Sequence, residues 1–103
     1  MTEKYIVDQV DTYCKARGIK YIGKNDARNH ARSLDDGRTD RIYPLPNGIT
    51  LYIEFKTPEK IKTKDNGLRP KQKEWREYLL KNGHQYYLLD NAIDAIRLIE
   101  RYI

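Results

Sequence analysis

Two apolar-rich runs joined by a tight-turn signal constrain the fold of this chain more than any other feature of its sequence. The runs cover 40–45 and 49–56, and Pro46-Asn47-Gly48 lies between them. Asn-Gly favours a two-residue hairpin turn, because both central residues of such a turn need a positive φ. The sequence therefore predicts a β-hairpin built from these two runs.

Apolar residues at helical spacing predict three helices. The first covers 2–17. The second covers 70–82 and begins at Pro70, because proline suits the first position of a helix. Asn91 is the predicted N-cap of the third helix. The apolar face predicted for this last helix consists of Ile93, Ile96, Ile99 and Ile103.

The segments between these elements complete the predicted fold. Short strands are predicted at 19–22 and 85–89, where apolar and aromatic residues group together. The polar, basic segment 24–37 is predicted to be an irregular connection, and 57–69 to be a long mobile loop. The order helix, strand, hairpin, helix, strand, helix predicts a single α/β domain over 1–103, in which a mixed sheet is flanked by helices.

The charge and the cysteine content bound the class of partner and the compartment. Net charge is +5 and the sequence pI is about 9.3, which favours an anionic partner such as nucleic acid, an acidic protein or a membrane surface. A single cysteine, Cys14, excludes an internal disulfide and fits a reducing compartment. The first residues contain no long apolar run, so we expect no signal peptide and a cytoplasmic protein of a bacterial or phage-infected cell.

The predicted strand at 51–56 combines an apolar face with a charged one. Side chains alternate along a strand, so the odd-numbered apolar residues share one face, and Glu54 and Lys56 share the other. Asp40 begins the paired strand, which allows its carboxylate to lie beside Glu54. Two carboxylates and a lysine suit phosphodiester hydrolysis assisted by Mg²⁺ or Mn²⁺. These ions prefer oxygen ligands, and a lysine can position the attacking water and stabilise the transition-state charge.

Each of these residues also has an ordinary structural explanation. Glu-x-Lys in a strand is commonly a solvated face with a weak ion pair, and an Asp after a Gly is commonly a turn residue. Glu3 falls on the apolar face of the first helix, where it either reaches a metal site or belongs to a frayed first turn. Gln72 falls on the inward face of the second helix, where it either reaches the site or is a buried amide bonded to backbone. The ordered combination of an Asp, a hairpin and Glu-x-Lys is more specific than any one of them.

Three segments, in this order, carry a resemblance to a known family. They are Gly37-Arg38-Thr39-Asp40-Arg41-Ile42, Ile53-Glu54-Phe55-Lys56-Thr57-Pro58 and Leu68-Arg69-Pro70-Lys71-Gln72. Together they resemble the VRR-NUC (virus-type replication-repair nuclease) domain of the PD-(D/E)XK nuclease superfamily, which has a restriction-endonuclease-like core. The likeness extends over nearly the whole chain. It departs from the family pattern at Thr39, where a proline is usual, and at Arg69, where a serine is usual.

The resemblance implies an active metal-dependent endonuclease of viral, phage or bacterial type and a set of site residues. The implied catalytic residues are Glu3, Asp40, Glu54, Lys56 and Gln72. The implied ligands of Mg²⁺ or Mn²⁺ are Asp40, Glu54 and the backbone carbonyl of Phe55. Neither departure removes a ligand, so activity is expected.

Basic residues on both sides of the predicted site favour contacts with the DNA backbone. The candidates are Lys24, Arg28, Arg32, Arg38, Arg41, Lys60, Lys62, Lys64 and Arg69. Because the sequence has no helix-turn-helix, zinc finger or other groove-reading motif, we expect DNA to be selected by shape. Branched DNA such as a four-way (Holliday) junction, met in replication, recombination or repair, is the expected substrate. A homodimer is also expected, because the chain is small and its last helix is apolar.

Two other functions fit some of the same residues. A non-catalytic DNA-binding accessory module would keep a nuclease fold, although such a module has no need of inward carboxylates that face a phosphate. A basic protein-interaction domain, such as an inhibitor of a host enzyme, would explain the charge but not the ordered motifs. A cleavage assay controlled by Mg²⁺ and Ca²⁺ separates the three functions.

Overall fold

Three helices surround one sheet in the computed structural model, which describes residues 1–23 and 37–103. The helices are α1 (Glu3–Ala16), α2 (Pro70–Lys81) and α3 (Ala92–Glu100), and the strands are β1 (Ile22–Gly23), β2 (Arg41–Pro44), β3 (Thr50–Phe55) and β4 (Gln85–Leu89). The sheet order is β1-β2-β3-β4, with antiparallel pairing except between β3 and β4, which are parallel. This arrangement confirms the predicted α/β fold with a mixed sheet flanked by helices. No helix within the two described ranges is long and apolar enough to cross a membrane.

The hairpin between β2 and β3 forms at the predicted turn. Asn47 and Gly48 have φ angles of 65° and 73°, both positive, as the central residues of a type I′ turn require. The Leu45 amide donates a hydrogen bond to the Ile49 carbonyl at 2.7 Å, which closes the hairpin. Because asparagine and glycine adopt this backbone conformation at little steric cost, the dipeptide fixes the register of the two strands.

Helices α1 and α3 cover one face of the sheet and enclose the hydrophobic core. The Thr2 side chain caps α1 by accepting a hydrogen bond from the Tyr5 amide at 3.1 Å. The fully buried residues of α1 and β3 in this core are Ile6, Val10, Cys14, Leu51, Ile53 and Phe55. The alternation along β3 thus directs its apolar side chains towards α1 and leaves the other face of the strand to polar side chains.

The buried face of α3 differs from the predicted one. Ile93 and Ile103 are 63% and 52% exposed, and of the four predicted isoleucines only Ile99 is fully buried. The side chains that reach the core are those of Ala92, Ala95, Leu98 and Ile99. Ala92, Ala95 and Leu98 each lie one position before a predicted residue, whereas Ile99 belongs to both sets. The prediction is right for Ile99 and wrong for Ile93 and Ile103, because it ranked isoleucine above alanine as a core residue and extended the face beyond the end of the helix at Glu100.

Two connections also differ in detail from the sequence prediction. The segment 57–69 is not one irregular loop, since it forms a short 3₁₀ turn at Lys60–Lys62 and a tight turn at Lys64–Gly67, in which Asp65 and Asn66 have positive φ angles of 57° and 56°. The Thr63 hydroxyl donates to the carbonyl of Lys60 at 2.6 Å, which holds the first turn. The predicted strand at 19–22 shares only Ile22 with the observed strand, which is Ile22–Gly23. Of the predicted irregular segment at 24–37, only the last residue lies among the described residues.

Candidate active site

The polar face of β3 is buried beneath α2. Glu54 is 1% exposed and Lys56, which follows the strand, is 5% exposed. The Glu-x-Lys pair is therefore not the solvated surface pair that such a pattern commonly forms. Burial of a carboxylate and an ammonium group is costly unless hydrogen bonds, an opposite charge or a metal compensates each of them, so the partners of these two groups define the site.

Asp40 lies opposite Glu54 on the same face of the sheet. Arg41 pairs with Ile53 in the antiparallel register, which puts the residue before Arg41 across from Glu54. The Asp40 Oδ2 atom accepts a hydrogen bond from the Phe55 amide at 2.8 Å. This bond fixes the carboxylate at the beginning of β2, and the hairpin thereby brings the two acidic groups together.

Gln72 connects the two charged residues of the β3 segment to α2. Its Nε2 donates to Glu54 Oε2 at 3.0 Å, and its Oε1 accepts from Lys56 Nζ at 3.2 Å and from the Arg69 amide at 2.9 Å. The amide orientation follows from these partners, because the reverse orientation would set the NH₂ group against two donors. Gln72 is thus a buried amide bonded to backbone at the start of α2, as one sequence interpretation predicts, and it also links two buried charges, whereas its catalytic role stays a prediction.

Gly37 brings the segment before Asp40 against the first turn of α2. Its φ is +83°, and a Cβ atom at this position would lie 2.5 Å from the carbonyl carbon and oxygen of Lys71. A side chain could not be accommodated at that distance, so only glycine allows the approach. The contact holds the strand that carries Asp40 against the helix that carries Gln72.

Asp40, Glu54 and the Phe55 carbonyl fit the oxygen donors that Mg²⁺ or Mn²⁺ prefers. Phe55 directs its amide to Asp40, and the amide and carbonyl of one strand residue point to the same side, so the carbonyl also faces Asp40. The described residues contain no group of three or more His, Cys, Asp or Glu side chains that could hold a metal. A metal here would therefore complete its coordination with water and phosphate, as Mg²⁺ commonly does.

The other predicted site residues fall into separate groups. Glu3 is the half-buried first residue of α1, and its membership of the site still rests on the resemblance. Three of the predicted DNA-binding residues lie outside the described residues: Lys24, Arg28 and Arg32. Four others are exposed along the segment between β3 and α2: Lys60, Lys62, Lys64 and Arg69.

Two of the predicted DNA-binding arginines are engaged within the protein. Arg41 lies on the face of the sheet opposite Glu54, where its guanidinium donates to Asp11 of α1 at 3.0 Å from Nε and 2.8 Å from Nη2. Arg38 donates to the Gly23 carbonyl at 2.9 Å. Because α1 binds the guanidinium of Arg41 on the far side of the sheet, Arg41 is not in a position to contact DNA at the candidate site.

Two residues near the carboxylates escape prediction from the sequence. Tyr86 pairs with Tyr52 across β4 and β3, so its side chain lies on the face that carries Glu54. Burial, and then the negative charge of Glu54, raises the pKa of the Tyr86 phenol, while the positive charge of Arg76 opposes this rise. Arg76 follows Gln72 by one turn of α2, and that spacing could have indicated it. The parallel register that places Tyr86 has no local sequence signal.

A mixed sheet carries an Asp, a buried Glu-x-Lys pair and a helical Gln at the end of its central strands, which is the arrangement that the VRR-NUC resemblance implies. A solved structure described as a VRR_NUC domain protein shares this fold, with a TM-score of 0.69 and 22% sequence identity. The match covers 100% of this chain and 88% of that chain. The likeness confirms the predicted VRR-NUC resemblance at the level of the fold. No protein-family model matches the sequence, and a search of curated proteins finds no match.

Proposed function

We propose that the protein is a Mg²⁺- or Mn²⁺-dependent endonuclease that hydrolyses phosphodiester bonds in DNA. The observation that carries this proposal is the buried Glu54–Gln72–Lys56 network beside Asp40. Replacement of a buried charged network by apolar residues is often neutral or stabilising in proteins, so the network is poorly explained by stability alone. The likeness to a VRR_NUC domain protein supports a catalytic role for this network.

The residues of the site divide the work of hydrolysis in this proposal. A Mg²⁺ or Mn²⁺ ion held by Asp40, Glu54 and the Phe55 carbonyl would acidify a bound water and offset negative charge on the phosphate. The ammonium of Lys56 would donate a hydrogen bond to the attacking water and to the phosphate oxygen on which charge develops. Gln72 holds the Glu54 and Lys56 side chains in fixed positions, so they would not have to reorganise during the reaction.

The substrate is proposed to be DNA held mainly through its phosphates. The net charge of +5 favours a polyanion. Lys60, Lys62 and Lys64 are exposed on the segment that joins Lys56 to α2, so both ends of this basic segment are attached at the site. Contacts of this kind carry little base specificity and select DNA by its shape. We therefore propose a preference for branched DNA, such as a four-way junction, in replication, recombination or repair.

A cleavage assay with single-residue variants tests the proposed chemistry. Asp40→Asn, Glu54→Gln and Lys56→Ala are each expected to lower the rate of DNA cleavage in Mg²⁺ or Mn²⁺ by roughly 100-fold or more, as for a lost electrostatic stabiliser. Two variants at exposed positions, Glu77→Gln in α2 and Lys15→Ala in α1, serve as matched controls and should cleave like the wild type. Circular dichroism should show that all five variants are folded.

Three outcomes of this assay separate the possible functions. Near wild-type cleavage by the combined Asp40→Asn and Glu54→Gln variant would contradict the assignment of the site. Tight DNA binding without cleavage in either metal would replace the nuclease by the DNA-binding accessory module. Equal cleavage rates on a four-way junction and a linear duplex of the same sequence, compared at moderate salt, would count against the proposed preference for branched DNA.

A further inference from the structure

A further cation, Arg76, lies on the face of α2 that covers the site. It follows Gln72 by four residues, so both side chains leave the helix on the same side. The hydrogen bond from Gln72 to Glu54 at 3.0 Å fixes that side over the end of β3. Arg76 is half-buried, and among the described residues its guanidinium has no ion-pair partner within 4 Å. A half-buried cation on the helix face that covers the site, without an ion-pair partner within 4 Å among the described residues, is suited to an external anion.

Tyr86 shares a face of the sheet with Glu54, and the charges of Arg76, Glu54 and Asp40 all affect its phenol. Tyr86 pairs with Tyr52, and Leu88 pairs with Glu54, so the phenol rises from β4 on the same face as Glu54 and diagonally across from it. The Tyr86 hydroxyl is buried and has no hydrogen-bond partner in the described part of the chain. A buried hydroxyl without a partner lowers stability, and such groups in native proteins commonly have a functional explanation.

The charges around the Tyr86 hydroxyl have both signs. Apart from burial, which has the largest effect, Glu54 and Asp40 raise the pKa of the phenol and Arg76 lowers it. A tyrosine hydroxyl carries its proton at neutral pH, so it can donate towards a carboxylate while its oxygen accepts from a guanidinium. The described residues make neither bond to the Tyr86 hydroxyl, so these bonds would form when a bound phosphate draws Arg76 towards the acidic pair.

We propose that Arg76 binds a nonbridging oxygen of the substrate phosphate and that the Tyr86 hydroxyl positions the guanidinium beside Asp40 and Glu54. This inference rests on the proposed function, since a DNA phosphate is the ligand in both. The planar guanidinium offers two parallel donors that match two phosphate oxygens. The Lys56 ammonium, which already donates to Gln72, is a point charge without this planar pair of donors, so the two cations have different roles. Arg76 is thus a substrate-binding residue, and Tyr86 is a positioning residue.

Equilibrium binding of a labelled branched DNA in Ca²⁺, which replaces Mg²⁺ so that the DNA stays intact, tests the inference. Arg76→Gln is expected to weaken binding roughly tenfold, as for the loss of a hydrogen bond between charged groups. Arg76→Lys should keep part of that affinity. Tyr86→Phe should weaken binding roughly three- to tenfold without lowering the thermal stability, because its hydroxyl has no partner to lose. The double variant should bind no more weakly than Arg76→Gln alone, since Tyr86 acts through Arg76.

Matched controls are available on the other side of the sheet. Tyr87→Phe removes a hydroxyl from the neighbouring residue, which faces away from the site and donates to Gln85 at 3.0 Å. Arg97→Gln removes an exposed guanidinium from α3. Both control variants should bind the same DNA with wild-type affinity.

The outcomes distinguish this inference from the proposed nuclease function. Wild-type affinity in Arg76→Gln would overturn the phosphate contact, and additive losses in the double variant would overturn the positioning role of Tyr86. A wild type that binds DNA through Arg76 but cleaves nothing in Mg²⁺ or Mn²⁺ would leave the contact standing and remove the nuclease function. Cleavage by the wild type, with unchanged binding and unchanged KM in Arg76→Gln, would support the nuclease function and remove the phosphate contact of Arg76. A wild type that binds no DNA would overturn both.

Discussion

Replacement of Gln72 by methionine should show how strongly the fold depends on the buried charged network. The Gln72 side chain makes three hydrogen bonds, two of them to the charged groups of Glu54 and Lys56 and one to the Arg69 amide. Hydrogen bonds to charged groups contribute roughly 1.5–3 kcal/mol each, and a neutral one contributes about 1 kcal/mol. These contributions overlap within one network, so we expect a loss of about 3–5 kcal/mol, the range seen when one member of a buried pair is removed.

The expected loss is large but leaves the domain folded at room temperature. Small domains are stable by roughly 5–15 kcal/mol, and at this size the predicted change corresponds to a melting temperature lower by about 15 °C or more. Methionine is unbranched and similar in length to glutamine, so the loss should reflect hydrogen bonds rather than a cavity. Urea denaturation followed by circular dichroism measures the free energy of unfolding, and DNA cleavage by the variant should fall in parallel.

Two other glutamines provide controls for this measurement. Gln9 is exposed on α1, so Gln9→Met should leave the free energy of unfolding unchanged. Among the described residues, the Gln85 side chain accepts hydrogen bonds from two neutral groups, the hydroxyls of Tyr87 and Tyr102, so Gln85→Met should cost about 1–2 kcal/mol. If Gln72→Met destabilises the protein no more than Gln85→Met does, the inference that Gln72 holds two buried charges in place is refuted.

Three further predictions concern packing, pH and assembly. Gly37→Ala should destabilise the protein by about 2 kcal/mol or more and impair cleavage, because of the contact with Lys71. Gly18→Ala, at φ +72° and with no atom of residues 1–23 or 37–103 within 4 Å of the added Cβ, should cost only the roughly 1 kcal/mol of the left-handed backbone, and equal losses by urea denaturation would contradict this difference. Burial raises the pKa of the Cys14 thiol to about 11 from 9.0 and also raises the pKa of the Tyr43 phenol, so the fold favours the neutral form of both groups. The free energy of unfolding should therefore be at its full value below pH 9 and fall as the pH rises towards 11, with a smaller fall in Tyr43→Phe. A urea midpoint that is flat from pH 7 to 11 would exclude this cause. Light scattering at micromolar concentrations should give twice the chain mass of 12.3 kDa if the protein is a homodimer, and a single-chain mass would exclude one.

Local signals account for the parts of the fold that the sequence predicts well. The Asn47-Gly48 dipeptide sets the hairpin, Pro70 begins α2, and Asn91 caps α3 by accepting from the Asp94 amide at 2.8 Å. Each of these signals acts within a few residues of the element that it defines. Because one hairpin carries both Asp40 and Glu54, the acidic half of the candidate site could also be predicted locally.

Features that depend on distant contacts were predicted less well. The buried face of α3 depends on the distance between the helix and the sheet, and the apolar pattern of the sequence does not determine that distance. Tyr86 is near Glu54 only because β4 adds in parallel beside β3. The position of Arg41 could have been predicted locally, because alternation along β2 places its side chain on the opposite face from Asp40. The basic cluster around the Asp motif suggested a DNA contact instead.

The parallel pairing of β3 with β4 has a consequence for the order in which the site assembles. Asp40 and Glu54 belong to a hairpin and are close in sequence, whereas Leu51 of β3 pairs with Gln85, 34 positions later. Contacts between distant positions form more slowly, because the entropy cost of closing a longer loop comes before the free energy gained from strand pairing. During refolding the acidic pair would therefore come together first, and the β4 tyrosine would join it last. The residues proposed to hold a metal would therefore come together before those proposed to bind the DNA phosphate. Metal binding and DNA binding would then report on successive stages of one folding reaction.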